Sequence, residues 1–470
     1  MKNVEVISLR DMLGRQQGPL VRRLLHTVFS VALRLFFRRI EADGISLVPC
    51  SGPLLFVLNH PNGLIDPALV FCALPRPVSF LAKSTVFRLP VVGYVLRTVE
   101  SLPLYRRIDE GEDTSQNLLT FAACRALLKR GGAVALFPEG VSHNATHLLP
   151  LKTGAARIAL GALSPVGAEP VGERLASLLV VPVGLYYTSK TSFRSEALMR
   201  FGRPLAVVPV AADADGEPPR EEVRELSARI DAALRGVTLN VENTDALETV
   251  ARAEQLFSSL YETINFRHTL SAEFDLRRRV AAVLEGRGTG RSRELLRRIT
   301  DYESGLAELG IRPENLSVLA HTRWDVFRHL LLKGGILLLL APLTLPGAAI
   351  HLPAYLLCLL ASRLYRRHGP DEAESTVKIL VAILLMPLTW LVVSGLVFYW
   401  FGWCAALVGL PVLVACGYTA MRSLEELYDL RGWLKAGLML LQQRHRFLRL
   451  LLERRALHQE IKRNLDAAGE

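Results

Sequence analysis

Residues 54–66 read Leu54-Leu55-Phe56-Val57-Leu58-Asn59-His60-Pro61-Asn62-Gly63-Leu64-Ile65-Asp66. Five consecutive apolar residues bounded by turn formers have the length and composition of a β-strand. Pro61-Asn62-Gly63 is turn chemistry, and the end of a strand is where α/β proteins place reactive side chains. His60 and Asp66 do not share a helix face at this separation, so the turn must bring them together.

The same rhythm continues on the C-terminal side. Leu102–Leu104, Ala133–Phe137 and Leu178–Leu185 are further strand-like runs with helical stretches between them. One helix, capped by Thr114 or Ser115, reaches Lys129 and is ended by Gly131-Gly132. The alternation predicts an α/β catalytic domain over 45–205, a mixed sheet flanked by helices. Residues 1–44 precede it. Within them VRRLLHTVFSVALRLFFRRI (21–40) is too short to span a bilayer, contains Arg34 and has basic residues at both ends. It fits an interfacial amphipathic helix, or a helix packed on the catalytic domain. The first 20 residues mix acidic and basic side chains without a secretory pattern, which predicts a cytosolic N-terminus.

Beyond the catalytic domain, residues 206–330 are charged and helical in pattern, with a break around Gly216–Pro219, and are expected to form a helical insert or regulatory arm. Gly286-Arg287-Gly288-Thr289-Gly290-Arg291 follows a helical stretch rather than a strand, so it is a flexible loop and not a nucleotide-binding turn. Residues 331–421 are the expected membrane region. The run 334–361 is broken by Pro342, Pro346 and Gly347 and is basic at both ends, which predicts a re-entrant hairpin. The run 379–421 has no charged residue. It is long enough for two spans joined at Gly402, between Trp400 and Trp403. Residues 422–470 form a basic helical tail, suited to anionic lipid or to a solvated arm.

Composition narrows the function classes. The chain has 470 residues and a formal net charge of +11, and its mean hydropathy is +0.26. A basic balance fits an anionic membrane surface or a phosphorylated substrate. Nucleic acid is not expected, because no zinc-finger spacing, RNP motif or basic helix with heptads is present. The six cysteines form no CxxC pair and three lie in apolar runs, so they predict small buried hydrophobes and a reducing compartment. No GxSxG elbow, HExxH pair or GxxxxGK[ST] loop occurs.

The residues able to do chemistry cluster after the strand-like runs. Acyl transfer from a thioester needs a base near neutrality and a carboxylate to orient it, which His60 and Asp66 supply. Phe137-Pro138-Glu139-Gly140-Val141-Ser142-His143 follows another strand, and Gly140 permits tight backbone close to a ligand. Tyr105-Arg106-Arg107 and Lys152, just before a helix, offer the fork and the point charge that suit a phosphate.

In order and spacing, these motifs resemble the glycerolipid acyltransferases that share the NHxxxxD and FPEG signatures, over roughly residues 45–205. Asn59-His60 with Asp66 is similar to the first motif, Leu102-Pro103-Leu104-Tyr105-Arg106 to the second and Phe137-Pro138-Glu139-Gly140 to the third. Val181-Pro182-Val183-Gly184 is similar to the fourth. Two departures stand out: five residues separate His60 from Asp66 instead of four, and Val141-Ser142-His143-Asn144 replaces the usual Thr-Arg-Ser continuation. Both resemble the subgroup of fungal glycerol-3-phosphate and dihydroxyacetone-phosphate acyltransferases, as do Leu149–Gly154 and Phe193-Arg194-Ser195.

The resemblance implies that His60 is the general base and that Asp66 orients it. It implies that Asn59, Glu139, Gly140, Ser142 and His143 line the acceptor site, that Arg106 and Lys152 hold a phosphate, and that Val181 and Pro182 lie by the acyl chain. No metal and no cofactor are expected beyond an acyl-CoA or acyl-ACP co-substrate. The implied partners are the acyl thioester donor, a glycerol-phosphate acceptor and the lipid bilayer; nothing in the sequence sets an oligomeric state. Acceptors of the family include glycerol-3-phosphate, which leads here on the subgroup features, and 1-acylglycerol-3-phosphate. A non-catalytic scaffold or lipid-binding protein is the contrasting class. The expected location is a bacterial inner membrane or the endoplasmic reticulum, with a cytoplasmic catalytic domain.

Overall fold

The computed structural model describes residues 4–106, 109, 111–145, 147–164, 177–213, 217–240, 269–286, 323–366 and 374–442, with isolated helical residues within 297–305 and 449–463. They fall into two compact units. One comprises residues 1–240 and 364–379, the other 241–363 and 380–470. The Gly-rich segment after Gly286 and most of residues 443–470 lie outside the described residues.

In the first unit, nine strands among the described residues form one mixed sheet. Its strands are β1 (Val4–Val6), β2 (Phe37–Asp43), β3 (Leu54–Leu58), β4 (Ser79–Lys83), β5 (Leu102–Leu104), β6 (Ala133–Leu136), β7 (Leu179–Tyr187), β8 (Ser195–Phe201) and β9 (Leu205–Ala206). The order is β1-β2-β8-β7-β3-β6-β4-β5, with β9 on β7. β3 pairs in parallel with both β6 and β7, and β4 pairs in parallel with β6 and β5. The C-terminal ends of β7, β3, β6, β4 and β5 therefore share one edge of the sheet.

All five side chains of β3 are buried, as expected for a central parallel strand covered on both faces. Leu55 and Val57 join one core cluster with Phe121, Cys124 and Leu128 of α5 (Asn117–Lys129) and with Ile158 and Ala159 of α6 (Gly154–Leu163). The same cluster includes Val223, Leu226 and Ile230 of α7 (Arg220–Val237). This places α7 with the catalytic core rather than in a separate insert beginning at residue 206. Its i, i+3, i+7 apolar spacing buries a stripe that a local reading of the charged surroundings hides.

Two local readings change. The segment before α5 is a 3-10 turn over Thr114–Gln116, so Gln116 is the N-cap and the Ser115 hydroxyl donates instead to Asp113. The N-terminal helix α2 (Leu20–Phe36) stops earlier than position 40, because Phe37–Asp43 leave it as β2, parallel to β8. α2 is also amphipathic in an inverted sense. Arg22, His26, Ser30, Leu33 and Phe36 are buried, while Leu20, Val21, Leu24, Val28 and Val31 are exposed. Arg22 reaches the Val78 carbonyl and pairs with Glu100 at 3.7 Å.

The cysteines are unpaired, and four are buried. Burial pushes the thiols of Cys72 and Cys124 up to about 12, as expected of small core hydrophobes.

In the second unit, α8 (Leu270–Gly286) is followed by α9 (Arg323–Arg366). α9 is one continuous helix through Pro342, Pro346 and Pro353, so the re-entrant hairpin expected over 334–361 is not formed. Apolar helices tolerate proline where neighbours meet the freed backbone groups. Gly347 is a packing position rather than a bend: a Cβ there would sit 2.1 Å from the Cys416 carbonyl oxygen. The last helix, α10 (Glu374–Gln442), is broken at Gly402 (φ +82°, ψ 177°), at the turn expected between Trp400 and Trp403. Trp390 donates to His351 Nε2 at 2.9 Å, and Gly417 leaves room for the same imidazole. The stretches Leu330–Tyr365 and Thr376–Tyr428 are each long and apolar enough to cross a membrane.

At Gly184 in β7 an added Cβ would lie 2.0 Å from the Val237 carbonyl oxygen at the end of α7. Backbone cannot yield as a side chain tip does, so Gly184→Ala is expected to cost about 1–3 kcal/mol. Thermal unfolding of the detergent-solubilised protein measures it; an unchanged midpoint would show that α7 is not seated firmly on β7.

Candidate active site

Each parallel strand delivers its next residues to the common edge. β3 delivers Asn59 and His60, β6 delivers Phe137 to Gly140, β4 ends in Lys83, β5 is followed by Tyr105 and Arg106, and β7 ends in Tyr187. Convergence at one sheet edge makes a site from residues more than a hundred positions apart.

His60 Nδ1 lies 2.8 Å from Asp66 Oδ2. Asp66 sits in the first turn of α3 (Ile65–Ala73) with no exposed surface. Its Oδ2 also accepts the Asn62 backbone N–H at 2.7 Å, and its Oδ1 accepts the Tyr187 hydroxyl at 2.6 Å. The helix start favours the negative charge. Burial raises the Tyr187 phenol well above its usual range, and the Asp66 charge and hydrogen bond add to this, so Tyr187 stays a donor. An aspartate that accepts from Nδ1–H leaves Nε2 as the basic nitrogen. The imidazole side chain is 19% exposed and stacks on the Phe137 ring, centroids 4.0 Å apart at 16°.

The expected acceptor-site residues divide into two groups. Asn59 faces β7 and not a ligand: its amide donates to the Leu185 carbonyl at 3.0 Å and accepts the Leu185 N–H at 2.7 Å. Glu139 is likewise committed to protein donors. Its Oε1 accepts the His60 backbone N–H at 2.9 Å, while Oε2 accepts the Leu149 N–H at 2.9 Å and contacts His143 Nε2. A buried carboxylate needs such donors, so Glu139 ties the His60 loop to the loop after β6 and does not reach toward an acceptor. His143 adds a backbone bond to the His60 carbonyl at 3.2 Å, and its buried Nδ1 has no partner among the described residues. Ser142 lies partly buried in the same loop. Val181 and Pro182 are buried in the middle of β7, opposite Phe56 and Val57.

Gly140 has φ +77°, and a Cβ there would lie 2.7 Å from Lys152 Nζ. Lys152 thus folds over the glycine, while Arg106 donates to the Gly140 carbonyl at 2.7 Å. Arg106 also forks onto Asp109 at 2.9 and 3.0 Å, and Lys83 reaches Asp109 at 2.8 Å. The Arg106 hydrogen bond, helped by Lys83 against the opposing effect of burial, holds the Asp109 carboxyl below its usual range. Arg106, Lys152 and Lys83 form an electropositive edge on the same side of the sheet as His60. Arg107 lies outside the described residues.

Three contributors, Tyr187, Lys83 and Asp109, carry no local signal in the sequence. Lys83 and Tyr187 are the last residues of β4 and β7 and Asp109 follows β5, and only the strand order brings them to His60 or Arg106.

A family model described as Acyltransferase matches residues 39–186, and one described as Glycerol-3-phosphate acyltransferase 2 C-terminal domain matches residues 254–469. The chain is 29% identical to glycerol-3-phosphate O-acyltransferase 2 of Saccharomyces cerevisiae over 59% of its own length and 38% of that protein. It is 24% identical to glycerol-3-phosphate O-acyltransferase 1 of the same yeast, over 80% of this chain and 58% of that one. A chloroplastic 1-acyl-sn-glycerol-3-phosphate acyltransferase of Brassica napus is 30% identical over 28% of this chain and 36% of its own. The chain thus spans less than two thirds of each of these relatives.

Removing the phenol hydroxyl with Tyr187→Phe leaves Asp66 one donor short. A hydrogen bond to a charged group is worth about 1.5–3 kcal/mol, so kcat is expected to fall on the order of tenfold with both KM values little changed. Glu139→Gln is expected to act on kcat in the same way. A rise in acceptor KM at constant kcat would return Glu139 to the acceptor site.

Proposed function

We propose that this chain, which belongs to the glycerolipid acyltransferase family with the NHxxxxD and FPEG motifs, is an O-acyltransferase that moves a fatty acyl group from acyl-CoA or acyl-ACP to the sn-1 hydroxyl of glycerol-3-phosphate in phospholipid biosynthesis. The observation that carries the reading is a buried Asp66–His60 pair, with Nε2 left basic, beside a cationic edge that fits a phosphate.

In this reading, Arg106, Lys152 and Lys83 hold the acceptor phosphate, with the guanidinium providing the planar fork. His60 Nε2 takes the proton from the acceptor hydroxyl as its oxygen attacks the thioester carbonyl. Asp66 favours the imidazolium that forms. Collapse of the tetrahedral intermediate breaks the C–S bond, and the imidazolium returns its proton to the departing thiolate. Ser142 and His143, in the loop after β6, are the polar side chains assigned to the acceptor in this reading.

The acceptor 1-acylglycerol-3-phosphate is the second reading, supported by the chloroplastic relative's name. A non-catalytic scaffold is disfavoured because the His60–Asp66 geometry is intact.

The acyl chain of donor and product favours lipid, which supports a bilayer location for the enzyme. The outward stripe Leu20, Leu24, Val28 and Val31 of α2 suits the interface, with Arg23 exposed for the headgroups. The apolar stretches of α9 and α10 suit its interior. The catalytic unit then lies on the cytoplasmic side of a bacterial inner membrane or of the endoplasmic reticulum.

The test is acyl transfer by the purified full chain in detergent, with labelled palmitoyl-CoA and either glycerol-3-phosphate or 1-acylglycerol-3-phosphate. Turnover of glycerol-3-phosphate, lowered on the order of 10²–10⁴-fold by His60→Ala, is expected. Turnover of the lysolipid alone would move the acceptor to the second reading. A loss below about tenfold in the variant would remove His60 as base.

A further inference from the structure

The acyltransferase model ends at residue 186, yet the loop carrying its histidine and aspartate is held by a residue nearly two hundred positions later. Residues 364–379 belong to the same compact unit as the catalytic sheet. There the first turn of α10 meets two active-site loops. Thr376 Oγ1 accepts the Leu64 backbone N–H at 3.2 Å, and Lys378 Nζ donates to the Thr191 carbonyl at 2.8 Å. Glu374 pairs with Lys378 at 2.8 Å one turn away, and Ile379 is buried.

Both contacts fall where position matters for the base. Leu64 lies between His60 and Asp66 and is the N-cap of α3, two residues before the aspartate. Its N–H has no carbonyl within α3 to serve it, since the first amides of a helix lack intrahelical acceptors. Thr191 belongs to the loop between β7 and β8. In that loop, the Lys190 carbonyl accepts from the Asn62 amide at 3.4 Å, and Lys190 Nζ donates to the His143 carbonyl and to Asn144 at 3.2 Å each. Asn62 in turn gives its backbone N–H to Asp66. The turn of α10, the β7–β8 loop, the His60–Asp66 loop and the loop after β6 thus form one hydrogen-bonded chain.

We propose that Thr376, supported by Lys378, is a positioning residue for acyl transfer. Its hydroxyl pins the backbone between His60 and Asp66 and so fixes the imidazole–carboxylate geometry from the C-terminal part of the chain. The catalytic loop is therefore incomplete within the acyltransferase segment alone. The inference rests on the acyl-transfer reading for its rate consequence, and on the structure alone for the contact.

The experiment uses the full chain in detergent and compares wild type, Thr376→Val, Thr376→Ser and Lys378→Met. Two quantities are read from each sample: the amide exchange of peptides covering Leu64, and kcat and KM for both substrates. Thr376→Val is expected to speed Leu64 exchange and to lower kcat on the order of tenfold, the size of one lost hydrogen bond. Both KM values should stay within about twofold, and Thr376→Ser should restore both readouts. Lys378→Met, which leaves Thr376 in place, is expected to act in the same direction and by less. Unchanged Leu64 exchange in Thr376→Val, or faster exchange with unchanged kcat, would overturn the proposal. A kcat loss that serine does not rescue would do the same. Absence of turnover in the wild type, with Leu64 freed in Thr376→Val, would instead count against the reaction and for the contact.

Discussion

A carboxylate with no exposed surface has to find among protein donors what it gave up in water. For Asp66 those donors are the Asn62 N–H, the His60 imidazole and the Tyr187 hydroxyl, and much of the catalytic unit follows from supplying them. The Asn62 amide requires the tight Pro61-Asn62-Gly63 turn. The hydroxyl requires β7 to lie directly beside β3, in the register that sets Val183 against Leu58. Glu139 repeats the solution on the other side of β3, drawing donors from His60, His143 and Leu149. The imidazole between these two buried acids is therefore held through both its ring and its backbone. Such preorganisation removes the need to rearrange dipoles as charge develops on the imidazole.

The cationic edge follows a different logic. Arg106 and Lys83 share Asp109, so their charge is partly balanced within the protein. Two cations close together gain from a carboxylate that spaces them. Lys152 is placed by a separate device, the left-handed backbone of Gly140, over which its stem lies. The guanidinium bond to the Gly140 carbonyl joins the two arrangements into one surface.

The strands that carry the chemistry were legible because buried parallel strands announce themselves as short apolar runs: Leu54–Leu58 and Leu102–Leu104 have the bounds read from the sequence, and Ala133–Leu136 and Leu179–Tyr187 differ at their ends. His60, Asp66, Arg106 and Lys152 were legible because turn chemistry and motif order mark them. What could not be read locally depends on strand order. Tyr187 is 121 positions from Asp66, and nothing near it in sequence marks it as a partner. The motif residues Asn59 and Glu139 were legible as important but not as struts, since a motif records position and not the direction in which an amide or carboxylate points. Pro342 and Gly347 misled for a related reason: an apolar helix carries the proline without breaking, and the glycine lets a neighbouring helix approach closely. The reverse holds at Gly402, where the glycine between two tryptophans does mark the break.

The aromatic ring of Phe137 lies flat on one face of the His60 imidazole, and that contact has a stereochemical consequence. With Nδ1 turned toward Asp66 and one face covered, the imidazole, in its proposed role as base, accepts a proton only along the ring plane at Nε2. An incoming alcohol cannot choose its angle; it can only choose its distance from whatever anchors its other end. The acceptor of the proposed reaction, glycerol-3-phosphate, carries its two hydroxyls at different reaches from phosphorus, one carbon apart. In that proposed reaction regiochemistry reduces to a length, the span from the Arg106–Lys83 edge to Nε2, and the fold sets that length by the width of the strands that separate β5 from β3.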